Sequence, residues 1–534
     1  MAFSYIINNI ALSLDDSVES AYQIAKERLK KLKLLPRDVA FSLYRRSIDA
    51  RKKNDIKFVY SVLVTGDFKP ISELVLKKEQ ISALCDSTPK IVFGDNPLCS
   101  RPVVVGSGPA GMFAALLLAE NGYAPILIER GGDVEERVRK IDEFSNSRIL
   151  DIETNIQFGA GGAGTFSDGK LVTRINDNMC SYILRRFVDF GAPEEILYLA
   201  KPHIGTDYLR LVVTNIMQTI VRYGGEVHYH TRLDSLKRKS DGTIELNTTQ
   251  GIINCPLVIL ATGHSARDTY ASLISSGFAI EPKPFSVGVR IEHLQKNIDR
   301  ALYGEYASHP ALPSGEYALS ANTDTRGVYT FCMCPGGQVV AAASEENTVV
   351  VNGMSHHSRN EKNANSAVVV SVFKEDYGNT PQKAIEFQRE IESKAFFAGG
   401  KNYCAPLCTV GDFLNDKFGT QPKSVTPTYM NGNGVCLSRL GDFLPPFVCK
   451  SLKSGLLAFD KKISGFASED AILTGAETRT SAPVRVLRGE NRCALGTNNV
   501  YPCGEGAGYA GGITSAAIDG VRTALEIMKV YKPF

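Results

Sequence analysis

The stretch Val103-Val104-Val105-Gly106-Ser107-Gly108-Pro109-Ala110-Gly111 decides how the chain is read. An apolar run, a glycine turn and the helix-like segment Met112–Asn121 bring backbone N–H groups and the positive end of a helix dipole to one point, where a pyrophosphate can sit. Gly106 permits the turn, Gly108 removes the side chain that would hold a phosphate off, and Gly111 lets the helix approach the strand. A second strand, Pro125–Ile128, leads into Glu129, which stands 21 residues beyond Gly108, where a carboxylate accepts hydrogen bonds from a ribose. Glycines alone recur in structural turns. Strand, glycines, Ala115, Gly122, second strand and acid all fall in register here, so dinucleotide binding is the reading.

The rest of the chain sets limits on that reading. With 534 residues, and about 150 per domain, three or four units are expected. Sixty basic against fifty-seven acidic residues give a net charge of +3, so the molecule as a whole has no electrostatic preference for nucleic acid or an anionic membrane. No apolar run reaches the length of a membrane span, and Met1–Asp16 lacks a signal-peptide pattern. A cytoplasmic protein is the expectation. The twelve cysteines are scattered without a Cys-x-x-Cys pair, which argues for reduced thiols. Cys404 and Cys408 lack a second pair at ligand spacing and no His-Glu-x-x-His occurs, so no metal site is expected.

Residues 1–98 read as a small α/β unit, with a strand at Phe3–Leu12, an amphipathic helix at Asp16–Lys33 and a hairpin of Val39–Ser47 with Lys57–Val64. Lys26–Lys57 carries twelve basic and four acidic side chains, a patch able to contact phosphates. Without interleaved aromatics, a solvated charged face is the preferred reading over a nucleic-acid site.

Two further segments return toward the glycine turn. The stretch GAGGAGTFSDGKL (159–171) combines backbone access at Gly164 with the hydroxyls of Thr165 and Ser167 and the charge of Lys170, as a ligand wall would. The buried strand Leu257–Ala261 closes in Thr262-Gly263. Near the C-terminus, a strand from Val500 precedes Gly504-Glu505, and Gly511-Gly512 opens a helix at Ile513–Met528. Glu505 is placed to accept hydrogen bonds from ligand hydroxyls, and the helix start points its positive end at a group that gains negative charge.

Together these segments resemble the FAD-binding domain of the glutathione reductase and fumarate reductase flavoprotein superfamily. More closely, GAGGAGTFSDGKL, KPHIGTD (201–207), GVRIEH (288–293), TFCMCPGG (330–337), NGMS (352–355) and GEGAGYAGGI (504–513) resemble an uncharacterised family of FAD-dependent, NAD-utilising dehydrogenases. The resemblance covers nearly the whole chain. It implies FAD, with Glu129 at the adenosine ribose, Glu505 at the ribityl or pyrophosphate region and the helix after Gly512 near the flavin ring. In many relatives the late acid is Asp, a departure that bears on the Glu505 contact. Three separated returns also suit a long ligand. The cofactor-binding set is therefore Gly106, Gly108, Pro109, Ala110, Gly111, Glu129, Arg130, Gly164, Thr165, Ser167, Asp168, Lys170, Leu233, Thr262, Gly263, Gly504, Glu505, Gly511, Gly512 and Ile513. No second glycine fingerprint occurs, so NAD(P)H, if used, docks transiently over the flavin.

The expected fold class is α/β: a Rossmann-like FAD/NAD(P)-binding domain in two parts (99–284 and 481–534), an inserted antiparallel α+β substrate domain (285–480) and the N-terminal unit. In the insertion, strands are expected at Ser286–Leu294, Val328–Cys334, Gln338–Ser344 and Thr348–Val351. Along the first, Gly288, Arg290 and Glu292 share one face, which can turn an Arg/Glu pair toward a substrate or form a structural ion pair. Cys332 and Cys334 share a face of an extended strand with Cα atoms about 6.6 Å apart, near the upper limit for a disulfide, so buried thiols are preferred over flavin-linked exchange. His293, His309 and Tyr329 are further candidate proton donors, though each is more often structural. The functional expectation is a flavoprotein oxidoreductase acting on a small molecule by hydride transfer at flavin N5. The alternatives are an RNA-associated or RNA-modifying flavoprotein and a non-catalytic FAD-binding protein.

Overall fold

The computed structural model describes residues 3–534 apart from 69, 85–86, 174–176 and 324–325; Cys85 lies outside the described residues. The chain is a mixed α/β structure built on several sheets. At the N-terminus, Val39–Asp49, Lys57–Gly66, Phe3–Leu12 and Ile81–Ala83 form an antiparallel sheet in that order. Strict alternation along Lys57–Gly66 turns Phe58, Tyr60, Val62 and Val64 inward, where Ala21, Ala25 and Leu29 meet them from the helix Val18–Lys31.

The glycine turn belongs to a five-stranded parallel sheet, ordered Val500–Pro502, Val258–Leu260, Val103–Val105, Ile126–Ile128, Glu226–His228. Its central strands are continuous apolar runs because both faces are covered. Val104, Leu127, Ile259 and Tyr501 pack under the helices Pro109–Glu120, Thr206–Arg222 and Ile513–Val530. Val103, Val105, Val258 and Leu260 face a three-stranded antiparallel sheet, Leu233–Arg238, Ile244–Thr248 and Gly251–Cys255. Parallel strands connect at one end only by long crossovers, so every carboxyl end opens on the same side.

That side is faced by a seven-stranded sheet, ordered Ser320–Asn322, Gly327–Cys334, Asn363–Val372, Phe285–Leu294, Ile472–Glu477, Ala405–Thr409, Val435–Leu437. All pairs are antiparallel except the last. Val448, Leu452, Leu456 and Phe459 of the helix Pro446–Asp460 pack on one face against Val289, Val328 and Val368, each large side chain contributing about 2 kcal/mol. The expected strand Gln338–Ser344 ends at Ala341 and pairs with Val351–Met354 in a separate ribbon. Residues 348–350 are not strand: Val349 N–H instead donates to the carbonyl of Glu392 at 3.0 Å. Among the described residues, no helix is long and apolar enough to cross a membrane.

Candidate functional site

Between the carboxyl ends of the parallel strands and the seven-stranded sheet lies a cavity of about 320 Å³. Its floor is the glycine turn, with Gly106, Gly108, Pro109 and Ala110 on the wall. Gly106 sits at φ +95, and a Cβ there would lie 2.4 Å from the carbonyl oxygen of Ala261. Gly111 stands behind the wall, where a Cβ would lie 1.9 Å from the carbonyl oxygen of Gly106. These two glycines are required by packing. Gly108, Gly263, Gly511 and Gly512 are different: all line the cavity, and a Cβ on any of them would meet nothing within 4 Å. Their missing side chains leave room above the backbone.

Two helices point their N-termini into that room. Pro109–Glu120 and Ile513–Val530 begin at Gly108 and Gly512, and neither has a side-chain cap, so their first amides remain available to an anion. The helices cross closely, since a Cβ on Gly520 would lie 2.1 Å from the carbonyl oxygen of Ala110.

One end of the cavity is lined by Glu129, Arg130 and Leu233. The Glu129 carboxylate accepts from Ser107 N–H (2.9 Å) and Ser107 Oγ (2.6 Å) on one oxygen, and from Gly131 N–H (3.1 Å) and Gly159 N–H (3.0 Å) on the other. A carboxylate has about four acceptor positions, and here chain donors fill them. Glu129 thus ties the glycine turn to the second glycine-rich loop while lining the cavity. Arg130 lies 4.0 Å over the ring of Phe158 and pairs with Glu153 and Asp268, presenting a flat, partly neutralised surface.

Along the middle, Gly164, Ser167 and Lys170 line the cavity, whereas Thr165 and Asp168 do not. The Thr165 hydroxyl donates to the Ala160 carbonyl, and Ser167 Oγ donates to Gly164 O at 2.7 Å, so these hydroxyls shape the loop. Asp168 is fully buried against Lys170 (2.6 Å), Arg359 (2.5 Å) and the Ser355 hydroxyl. Burial alone would raise its carboxyl; the charges of Lys170 and Arg359 outweigh burial and hold it below the ordinary range. The cation offered by Lys170 is correspondingly shared with Asp168.

At the other end stand Thr262, Gly263, Glu505, Gly511, Gly512 and Ile513. Gly504 is off the wall, its N–H turned to Asp519 at 2.8 Å. Glu505 lies 3.5 Å from His264 Nδ1, a distance that suggests an ion pair. Burial argues otherwise. It pushes the Glu505 carboxyl up to about 7, opposed only weakly by Lys283, and pulls His264 down to about 3 with help from Arg479 and Arg267. At neutral pH His264 is therefore uncharged, and Glu505 sits near its midpoint, able both to hold and to release a proton.

The facing wall holds groups that sequence reasoning missed, namely Glu477, Arg479 and Thr480, with Gln157, Phe158 and Asn352. Arg290 and Glu292 are off the wall and do not pair with each other. Arg290 pairs with Glu477 of the adjoining strand at 2.9 Å, while Glu292 is bound by Thr428 and Asn363. Alternation shows which residues share a face, not which strand lies alongside. Cys332 reaches the wall and Cys334 does not. They do not share one face of a regular strand: a bulge falls between Phe331 and Cys334, with Cys332 at φ +45. Of the candidate proton donors, His293 bonds the Phe466 carbonyl in the core, His309 lies beside Asp15, and Tyr329 donates to Ser286 Oγ; none lines the cavity. Among the described residues, no group of three or more His, Cys, Asp or Glu is placed to hold a metal.

A Clostridium beijerinckii protein described as "Uncharacterized protein" is 47% identical over 531 residues, covering 98% of each chain. The chain belongs to the family of this clostridial protein. Residues 284–480 match a family model described as "FAD-dependent protein, C-terminal domain-like", and residues 5–65 match one described as "Domain of unknown function (DUF8436)". Similar solved structures include CtdE in complex with FAD (11% identity, TM-score 0.34, 80% of this chain and 86% of that chain). The flavin-dependent halogenase CmlS is also similar (13% identity, TM-score 0.34, 80% and 58%).

Proposed function

We propose that the chain is an FAD-dependent oxidoreductase that passes hydride between the flavin and a small-molecule substrate or NAD(P)H. The carrying observation is that two uncapped helix N-termini and four open glycines, drawn from three distant segments, line one cavity at the carboxyl ends of a parallel sheet. Such a wall fits a long two-phosphate molecule better than a mononucleotide. The match of residues 284–480 to a model of FAD-dependent proteins supports the same reading. In this reading the parallel sheet is a Rossmann-like domain of residues 99–284 and 481–534. Residues 285–480 then form the substrate-facing insertion, and residues 1–98 a separate unit.

Gly108 and the first amides of Pro109–Glu120 would hold the pyrophosphate, and Arg130 and Leu233 would flank the adenosine end. Gly511, Gly512 and Ile513 would meet the ring system, which supplies two-electron chemistry when bound. The positive end of Ile513–Val530 stabilises negative charge that develops there. Glu505, its carboxyl raised to about 7 by burial, can hold and release a proton in the same cavity. Lys170 of the second glycine-rich loop and Arg479 of the facing wall offer cations to the cavity, although Asp168 and Glu392 share their charge. The test is to purify the protein, record its flavin spectrum, and follow anaerobic bleaching with NADH and NADPH before adding acceptors. A colourless protein that refuses FAD, or a bound flavin that no donor bleaches, refutes the proposal.

A further inference from the structure

We propose that Cys332 and Cys334 form a redox-active dithiol that exchanges an electron pair with the flavin across the wall of the cavity; this rests on the FAD reading above. The geometry is specific. Phe331 pairs with Ala367 and Cys334 with Asn365, so three steps on one strand oppose two on the other, and the extra residue forms a bulge. Cys332 takes a left-handed backbone at φ +45, uncommon outside glycine, and half-buried on the cavity wall. Cys334 lies fully buried, and its Sγ donates to the Cys332 carbonyl at 3.4 Å. The bulge breaks the regular extended run in which alternate cysteines keep a fixed spacing.

A buried guanidinium fixes this arrangement. Arg290 donates to the Cys332 carbonyl from both Nη atoms at 3.3 Å and lies 3.9 Å from Cys334 Sγ. It is itself held by Glu477 (2.9 Å) and Asn365 (2.5 Å). Cys334, with help from the charges of Arg290 and Lys170, pulls the Cys332 thiol below its ordinary range against the effect of burial. Cys334 moves in the opposite direction, raised by Cys332 and by burial. The outer sulfur is thus the nucleophile and the inner one its partner. Two inert thiols require neither the strained backbone nor the clamp.

The exchange balances as follows. In the oxidising direction the S–H bonds of both cysteines are lost and one S–S bond forms, releasing two protons and two electrons. The electrons, with two protons, are taken up by oxidised flavin to give dihydroflavin. In the reverse direction dihydroflavin returns them, the S–S bond breaks, and Cys334 takes a proton before Cys332 does.

The wild-type protein, with whatever flavin it retains, is equilibrated in buffers of varying reduced-to-oxidised dithiothreitol, alkylated and digested with trypsin. The peptide Gly327–Arg359 contains Cys332 and Cys334 and no other cysteine, so it reports on this pair alone. The expected result is that it loses both labels together, and two hydrogens, along a reversible two-electron curve. Reduced protein should alkylate at Cys332 with a half-maximal rate at a pH below that of an ordinary thiol. With FAD bound, Cys334→Ser should show a long-wavelength thiolate–flavin absorption that Cys332→Ser lacks. Two labels at every buffer ratio on flavin-bearing protein overturn the dithiol alone. Protein that never takes flavin overturns the functional reading and the exchange together.

Discussion

Replacing Glu505 with Gln isolates the cost of burying a carboxylate in the turn that follows the strand Val500–Pro502. Its side chain is 26% exposed, and burial raises the carboxyl from an ordinary 4.5 to about 7. Each pH unit of that difference corresponds to about 1.4 kcal/mol, which gives a ceiling of about 3 kcal/mol. The sign follows from proton binding. Below pH 4.5 Glu505 is protonated in both folded and unfolded chains, and its neutral form is accommodated. Between 4.5 and 7 the unfolded chain ionises while the folded chain keeps its proton, so wild-type stability falls steadily relative to Glu505→Gln. Above 7 the difference is constant. For a chain of this length, about 3 kcal/mol corresponds to a midpoint shift of about 3 °C. Thermal unfolding of ligand-free wild type and Glu505→Gln from pH 4 to pH 8.5 should therefore show midpoints that diverge between pH 4.5 and 7, with the variant higher at alkaline pH. A fixed offset across the whole range would refute the claim that the carboxyl is held neutral.

Gly111→Ala places a methyl 1.9 Å from the Gly106 carbonyl, and a loss of about 3 kcal/mol with loss of flavin retention is expected, read by denaturant unfolding and by the absorbance of purified protein. Gly108→Ala meets open space, so it should leave stability within about 0.5 kcal/mol while weakening flavin binding, a contrast measured by titration of apoprotein. Glu129→Gln puts an amide donor among four chain donors and should cost about 2 kcal/mol in unfolding experiments even without cofactor. Glu392 is fully buried between Arg267 and Arg479, each at 2.8 Å; Glu392→Ala strands Arg479, leaves Arg267 only its pair with Glu345, and should cost about 3 kcal/mol by the same assay.

What could be read from the sequence follows from distance along the chain. The glycine turn, its flanking strand and helix, and the hairpin of the N-terminal sheet are local: period, turn residues and register specify them within a few tens of residues. The strand ends at Thr262 and Gly504 were also visible, because parallel strands ending in glycine announce themselves. What could not be read was pairing between strands far apart in sequence. Arg290 and Glu477 are 187 residues apart and meet only because the strand Ile472–Glu477 lies beside Phe285–Leu294. The same sheet order brings Arg479 and Thr480 to the cavity. Period-two reasoning also assumes an unbroken strand, and the bulge after Phe331 breaks it where the cysteines lie. Glu129 shows a third limit. Spacing put the acid at the right place, but only the folded loops reveal that their own amides fill its lone pairs.

The close crossing of Gly520 over Ala110 joins segments made some four hundred residues apart. A ribosome that has finished the glycine turn has therefore produced half a binding site, with one face of the helix Pro109–Glu120 still awaiting its cover. A nucleotide held between the two helix starts must wait until Ile513–Val530 has been made and has packed on Pro109–Glu120. Loading then depends on two segments far apart in synthesis, and the later one covers the earlier.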